Sequence, residues 1–389
     1  MKDEIYCKHG GRMHEAIGDT FDFPEKRNDC VPADVLDAWY PPHSSVSQFL
    51  IENMNWLVGT SPPCRMDALR AEVANYLDIP SSNLLLGSGS SDLIFRIMTS
   101  LFPGANSSTH LQTSESRENR KIGIVSPCYG EYAHVASKLC GLEISRIYSD
   151  SDQLAFSARE ILDEVRCKSL KALCLVNPCN PTGQYLPIDE MTALVMELPE
   201  SCPLLVDETY IQFVGRKHSV AKMALSRKNL IVIESFSKFF ALSGVRVGCA
   251  ISHSDLASRL EETFPTYQLS NFAIGALSKS LKQVPYYFEK VDETHKLRQE
   301  LSKMLLEIHF LERVLPSTIN SVLIKVKEQH SAEKIRIALG ELSIFIRNIS
   351  EQGLKNEDCD RYLRIAVLDQ ARNTAVYKGL KYLSGMPNL

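Results

Sequence analysis

Leu230-Ile-Val-Ile233 runs directly into Glu234-Ser-Phe-Ser-Lys-Phe-Phe-Ala-Leu-Ser-Gly-Val-Arg-Val-Gly248, an apolar segment of strand length that ends in a polar stretch with a single lysine, Lys238. A lysine amine attacks carbonyls only when enough of it is neutral, which calls for partial desolvation and nearby cations. Ser235, Ser237 and Arg246 are residue types that hold a phosphate dianion, because each hydroxyl donates one bond and a guanidinium donates two in a fork. Together they read as an anchor for pyridoxal phosphate; the alternative is an exposed lysine just past a strand.

Two more short apolar runs end in polar clusters: Ala172-Leu-Cys-Leu-Val176 before Asn177-Pro-Cys-Asn-Pro-Thr-Gly183, and Leu204-Leu-Val206 before Asp207-Glu-Thr-Tyr210. Continuous apolar runs separated by helical patterns predict parallel strands covered on both faces, hence an α/β sheet. In such sheets ligands gather at the carboxyl ends of the strands. Upstream, Lys121-Ile-Gly-Ile-Val-Ser126 predicts a buried strand whose exit loop carries Tyr129, placed to stack on a flat ring. Asn83-Leu-Leu-Leu-Gly-Ser-Gly-Ser-Ser-Asp92 predicts a strand, a glycine turn and a helix start, where free N–H groups and the helix dipole favour an anion beside Gly89, Ser90 and Ser91. A dinucleotide fingerprint is the competing reading, but Asp92 stands where its third glycine belongs.

The flanks differ in style. Met66, Leu69, Val73 and Leu77 mark one buried helix stripe. Residues 105–120 are polar and aperiodic, as expected of a flexible surface loop. Phe288 to Ile308 predicts one long amphipathic helix, followed by strand-like Ser321–Val326, helical Ala332–Leu342, and strand-like Ile344–Ile346 and Tyr362–Val367. The expected organisation is an N-terminal arm (1–45) packing with the small domain, a large α/β domain (46–275) and a smaller α+β domain (276–389). Arg347 and Arg364 interrupt the late strands, whereas Arg361 is expected to be solvated.

Composition narrows the function classes. Net charge is −4 with no basic block, which argues against nucleic-acid or anionic-membrane partners. Eleven cysteines scattered in apolar segments read as reduced thiols, and none has zinc spacing, so no metal is expected. Met1-Lys-Asp-Glu-Ile-Tyr-Cys lacks a signal-peptide core, and no run is long enough to span a bilayer, so a cytoplasmic location is expected.

The ladder Asn180, Asp207, Tyr210, Lys238 and Arg246, with His9-Gly-Gly11, GSGSSDLI, SPCYGEY, NPCNPTG, SFSKFFALSGVRVG, IFIRN and RYLRIAV, resembles the fold-type I pyridoxal phosphate enzymes over nearly the whole chain. Within them it is most similar to the class I/II aminotransferases related to histidinol-phosphate aminotransferase and threonine-phosphate decarboxylase. The resemblance implies a mostly parallel central sheet flanked by helices, a smaller α+β domain, and a homodimer. It implies that Lys238 carries the cofactor as a Schiff base and moves protons, with Asp207 at the pyridine nitrogen and Asn180 and Tyr210 at the phenolic oxygen. Tyr129 would stack on the ring, and Gly89, Ser90, Ser91, Ser235, Ser237 and Arg246 would hold the phosphate. Arg364 would take the substrate carboxylate and Arg347 its far end, with Asn271, His9 and Lys26 as further substrate contacts.

Two departures affect the substrate. Ser61-Pro62 stands where relatives carry a tyrosine-proline pair that reaches a neighbouring subunit, and Phe23-Pro-Glu-Lys-Arg27 is the expected counterpart of a substrate-touching asparagine segment. The expected activity is therefore amino transfer on an amino acid or a phosphorylated amino-acid-like compound. Decarboxylation of a phosphorylated amino acid is the alternative, and cyclisation or elimination also use this scaffold. A non-catalytic cofactor-binding regulator is the rival of another class, against which the complete Lys238, Asp207, Tyr210 set argues.

Overall fold

The computed structural model describes residues 11–103, 121–355 and 358–386. His9 and the 105–120 segment lie outside them. The predicted apolar runs form the middle of a seven-stranded sheet: β2 (Leu84–Gly87), β3 (Lys121–Ser126), β4 (Glu143–Tyr148), β5 (Ala172–Val176), β6 (Leu204–Asp207), β7 (Leu230–Ser235) and β8 (Gly248–Ser252), in the order β2-β8-β7-β6-β5-β3-β4. Pairing is parallel from β4 through to β7, and β8 runs antiparallel between β7 and β2. β5, β6 and β7 are buried along their whole length, which explains their unbroken apolar sequence. The edge strand β4 is half-buried or exposed along most of its length, with only Ile147 fully buried, so it leaves no continuous run to recognise.

A smaller sheet has the order β1-β11-β12-β10-β9, from β1 (Val31–Ala33), β9 (Leu311–Val314), β10 (Ser321–Val326), β11 (Ile344–Asn348) and β12 (Tyr362–Ala366). β1 pairs parallel with β11 and so carries the N-terminal segment onto this sheet. Helix Val284–Leu305 begins earlier than predicted and buries Tyr287, Val291, Thr294, Leu297, Leu301 and Leu305. Phe288 stands outside that stripe, against Phe239. Residues 275 and 276 fall inside helix Asn271–Leu281, which packs on helices Ser44–Glu52 and Asp67–Leu77. Arg361 is a correction: its side chain is 13% exposed, donates to the Val326 carbonyl at 2.7 Å and pairs with Glu312 and Glu328.

The loop after β5 is fastened to the smaller sheet. Thr318 donates to the Gly183 carbonyl through both its N–H and its hydroxyl, each at 2.8 Å, and Gln184 Nε2 donates to the Pro316 carbonyl at 2.6 Å. Gly183 has φ +72°, and a Cβ there would lie 2.1 Å from Ser317 Oγ. Gly183→Ala should therefore both strain the backbone and push this contact apart, lowering stability by about 1–3 kcal/mol in urea unfolding; an unchanged midpoint would show that the contact yields freely.

Candidate active site

Every strand-end cluster expected to carry chemistry opens onto one cavity. Its lining includes Ser90, Ser91, Tyr129, Asn180, Asp207, Tyr210, Ser235, Ser237, Lys238, Arg246, Arg347 and Arg364. They arrive from the carboxyl ends of β2, β3, β5, β6 and β7 and from β11 and β12, as a mostly parallel sheet dictates.

An anion cradle forms at one end. Helix Gly89–Leu101 starts there with Ser90 and Ser91 in its first turn, and the Asp92 carboxylate accepts from Ser88 N–H at 3.0 Å. The Ser235 and Ser237 hydroxyls lie 3.0 Å apart. Gly89 has φ +85°, and a Cβ there would sit 2.6 Å from Arg246 Nη2, so glycine lets the guanidinium close over the turn. Arg246 itself adopts φ +60°, a cost of about 1–2 kcal/mol for a non-glycine residue that the surrounding packing must offset.

At the centre lies Asp207, 3% exposed. It accepts from the Tyr132 hydroxyl at 3.1 Å and from the Thr209 N–H at 2.9 Å. Burial raises its pKa, and these two hydrogen bonds only partly oppose that. Neither partner is a cation, so a protonated ring nitrogen brought beside it would supply the missing charge. Tyr129 joins the wall, its hydroxyl 3.1 Å from Ser91 Oγ. These features fit pyridoxal phosphate in donor type and charge: an anion cradle, a buried carboxylate, an amine and an aromatic face.

Lys238 differs from expectation in its neighbour. Its amine donates to Asp37 Oδ1 at 2.9 Å and to Ser243 Oγ at 3.4 Å, so the nearest charge is an anion and not a cation. Burial opposes ionisation of Asp37, but Lys238 and Ser243 outweigh it and lower its pKa. The turn is held from behind by Tyr40, whose hydroxyl donates to the Phe239 carbonyl at 2.8 Å, and by Phe239 and Phe240 packed on Tyr287.

Arg364 crosses from β12 to the loop after β5. Its Nη1 donates to Asn180 Oδ1 at 2.6 Å and its Nη2 to the Asp34 carbonyl at 2.7 Å, while Nε is buried without a partner among the described residues. Burial lowers its pKa to about 10, which leaves it a cation at neutral pH. Arg347 is its direct cross-strand neighbour.

Two substrate expectations need correcting. Lys26 lies in an exposed 3-10 turn with its amine 4.2 Å from the centroid of the Phe23 ring, and neither it nor Arg27 lines the cavity. Asn271 spends its amide on the Leu57 and Thr60 carbonyls and ties down the end of helix Met54–Gly59. The N-terminal segment that reaches the cavity is instead Asp34-Val-Leu-Asp37. Its signal was present: Val31-Pro-Ala33 is a strand that ends in carboxylates, the pattern that found the other clusters.

The model of the aminotransferase class I and II family matches residues 48–380. The chain belongs to the class I and II aminotransferases. Histidinol-phosphate aminotransferase 2 of Archaeoglobus fulgidus is 28% identical, with 92% of this chain and 94% of that protein covered. Among solved structures, histidinol-phosphate aminotransferase of Sinorhizobium meliloti in complex with pyridoxal-5'-phosphate superposes with a TM-score of 0.79 at 20% identity over 90% of each chain. L-threonine-O-3-phosphate decarboxylase of Porphyromonas gingivalis superposes with a TM-score of 0.74 at 20% identity, over 90% of this chain and 98% of that one. At these identities the structural likenesses establish the shared fold. This aminotransferase-family enzyme has, among its described residues, no helix long and apolar enough to cross a membrane and no metal-holding cluster of His, Cys, Asp and Glu.

Beneath Asp207, the next residue is Glu208, fully buried beside Glu234. Arg216 pairs with both Glu234 oxygens at 2.9 and 3.0 Å, while Glu208 accepts from the Val220 N–H at 2.8 Å and from the Ser219 hydroxyl. Burial, then the charge of Glu234, pushes the Glu208 pKa up to about 8. The native state then holds a proton that the unfolded chain loses near its ordinary pKa of about 4.3. The associated stability is complete below that pH and disappears as pH rises to about 8, with a slope of up to about 1.4 kcal/mol per pH unit. Glu208→Gln should flatten that decline in denaturant midpoints measured from pH 5 to 8; an unaltered profile would place the titration elsewhere.

Proposed function

We propose that this enzyme is a pyridoxal phosphate-dependent aminotransferase acting on an amino acid or a phosphorylated amino-acid-like substrate. The observation that carries the reading is the convergence on one cavity of the Lys238 amine, the buried Asp207 carboxylate and the anion cradle of Ser90, Ser91, Ser235, Ser237 and Arg246. Bound pyridoxal phosphate supplies an electron sink for a bond broken at the substrate's α-carbon.

The chain's own residues supply the rest. Lys238 Nζ would hold the cofactor's aldehyde carbon and, once released by the substrate amine, take the proton from the α-carbon and return it to the cofactor carbon. Asp207 would keep the ring nitrogen protonated, held in place by Tyr132 and Thr209. Tyr210 and the Asn180 amide nitrogen, whose partner oxygen already accepts from Arg364, would donate to the ring's phenolic oxygen. Tyr129 would cover the ring face. Arg364 would seat the substrate carboxylate and so decide which α-bond faces the electron sink. Decarboxylation needs the same residues with a different seat for that carboxylate.

Single turnover without a keto acid separates the two outcomes. Pyridoxamine phosphate accumulating with an amino donor supports transfer; regenerated pyridoxal phosphate with carbon dioxide and an amine supports decarboxylation. Lys238→Ala should abolish turnover and the covalent cofactor bond while leaving the unfolding midpoint near that of the parent; full activity in that variant would sink the assignment. Arg364→Lys should lower kcat/KM about ten- to a hundredfold, since it removes a charged fork worth about 1.5–3 kcal/mol.

A further inference from the structure

The charges that the proposed reaction leaves unused point to the substrate's far end, an inference that rests on that reading. Arg246 is assigned to the cofactor phosphate, Asp207 to its ring and Arg364 to the substrate carboxylate, while Lys238 is committed to the cofactor. Arg347 then remains, and two carboxylates, Asp34 and Asp37, line the same cavity from one four-residue segment.

Asp34 is 2% exposed. Its Oδ2 accepts from Arg12 N–H at 2.8 Å, its carbonyl accepts from Arg364, and its Oδ1 is buried with no partner among the described residues. Asp37 has the Lys238 amine as its 2.9 Å partner, an amine that would turn to the cofactor once it is bound. A buried carboxylate oxygen without a donor is costly, and a ligand that brings one recovers that cost. Asp34 and Arg347 also border a second polar cleft, which includes Arg12 and Arg336 together with Glu15, Glu333 and Glu351.

We propose that Asp34 is a specificity-determining residue and that the substrate is an amino acid whose side chain ends in a cation or an N–H donor, such as an amine, guanidine or imidazole. Asp37 adds negative potential on the same wall. Arg347 then serves to balance the pair of carboxylates and not to bind an anionic tail alone.

Ornithine and norleucine test this, because their side chains have equal length and differ in a terminal ammonium against a methyl. With the cofactor-loaded protein, single-turnover kcat/KM should favour ornithine over norleucine and over O-phosphoserine by at least about tenfold. Asp34→Asn, which keeps an acceptor for Arg12, should lower the ornithine-to-norleucine ratio about tenfold. Calorimetry with 5-aminopentanoate and hexanoate, the ornithine and norleucine frames without the α-amine, should show the same loss of preference. Equal use of norleucine, a preference for O-phosphoserine, or a ratio that survives in Asp34→Asn would overturn the inference while the aminotransferase reading stands. A protein that takes up no pyridoxal phosphate loses both. The comparison of substrates in the unsubstituted enzyme decides the matter even where the variant folds poorly.

Discussion

The Arg364 guanidinium is the interaction on which the site's geometry depends. One buried cation on β12 reaches the Asn180 oxygen after β5 and the Asp34 carbonyl after β1. It therefore fixes three chain-distant segments against one another, at the junction of the two sheets. Two short charge-assisted bonds leave little freedom in its position, and a planar fork transmits that order to whatever it binds next. Seating a carboxylate there would complete its unfilled Nε and repay part of the desolvation that depresses its pKa.

Beneath the reacting groups, the scaffold keeps charge where ordinary cores avoid it. Glu208, just past β6, and Glu234, on β7, are both fully buried, and Arg216 from the turn Arg216–His218 pairs with Glu234. Such clusters contribute little net stability, but removing one member leaves an uncompensated charge. Their effect here is positional: the segment from Arg216 to Val220 holds both Glu234 on β7 and Glu208 at the end of β6. Aromatic packing of Phe239 and Phe240 on Tyr287 ties the Lys238 turn to helix Val284–Leu305 in the same way.

Much of this arrangement could be read from the sequence, for a physical reason. A parallel sheet buried on both faces writes itself as unbroken apolar runs, and its ligand end is the polar residue that follows each run, which located Asp207, Asn180, Tyr129 and Ser235 together. The edge strand β4, mostly half-exposed, lacks that signature. Asp37 was missed because the strand before it, Val31–Ala33, is only three residues long, and its contact with Lys238 spans 201 positions. The same blindness placed Lys26 in the site, since a cation in an aperiodic segment looks alike whether it faces a cavity or water. Asn271 reads as a ligand-type amide but is spent on backbone carbonyls, and only the fold reveals how a polar side chain is employed.

The route taken by β1 and β12 has a consequence for biogenesis. Lys238 and its cradle are synthesised well before Arg364, and the Asp34 segment waits from the start for a strand that arrives near the end of translation. A chain still emerging from the ribosome can build the central sheet, yet its cofactor cavity has an open wall until β12 docks. Cofactor capture in this enzyme is therefore expected to mark completion of the polypeptide, and a prematurely terminated chain is left without the pocket that would stabilise it.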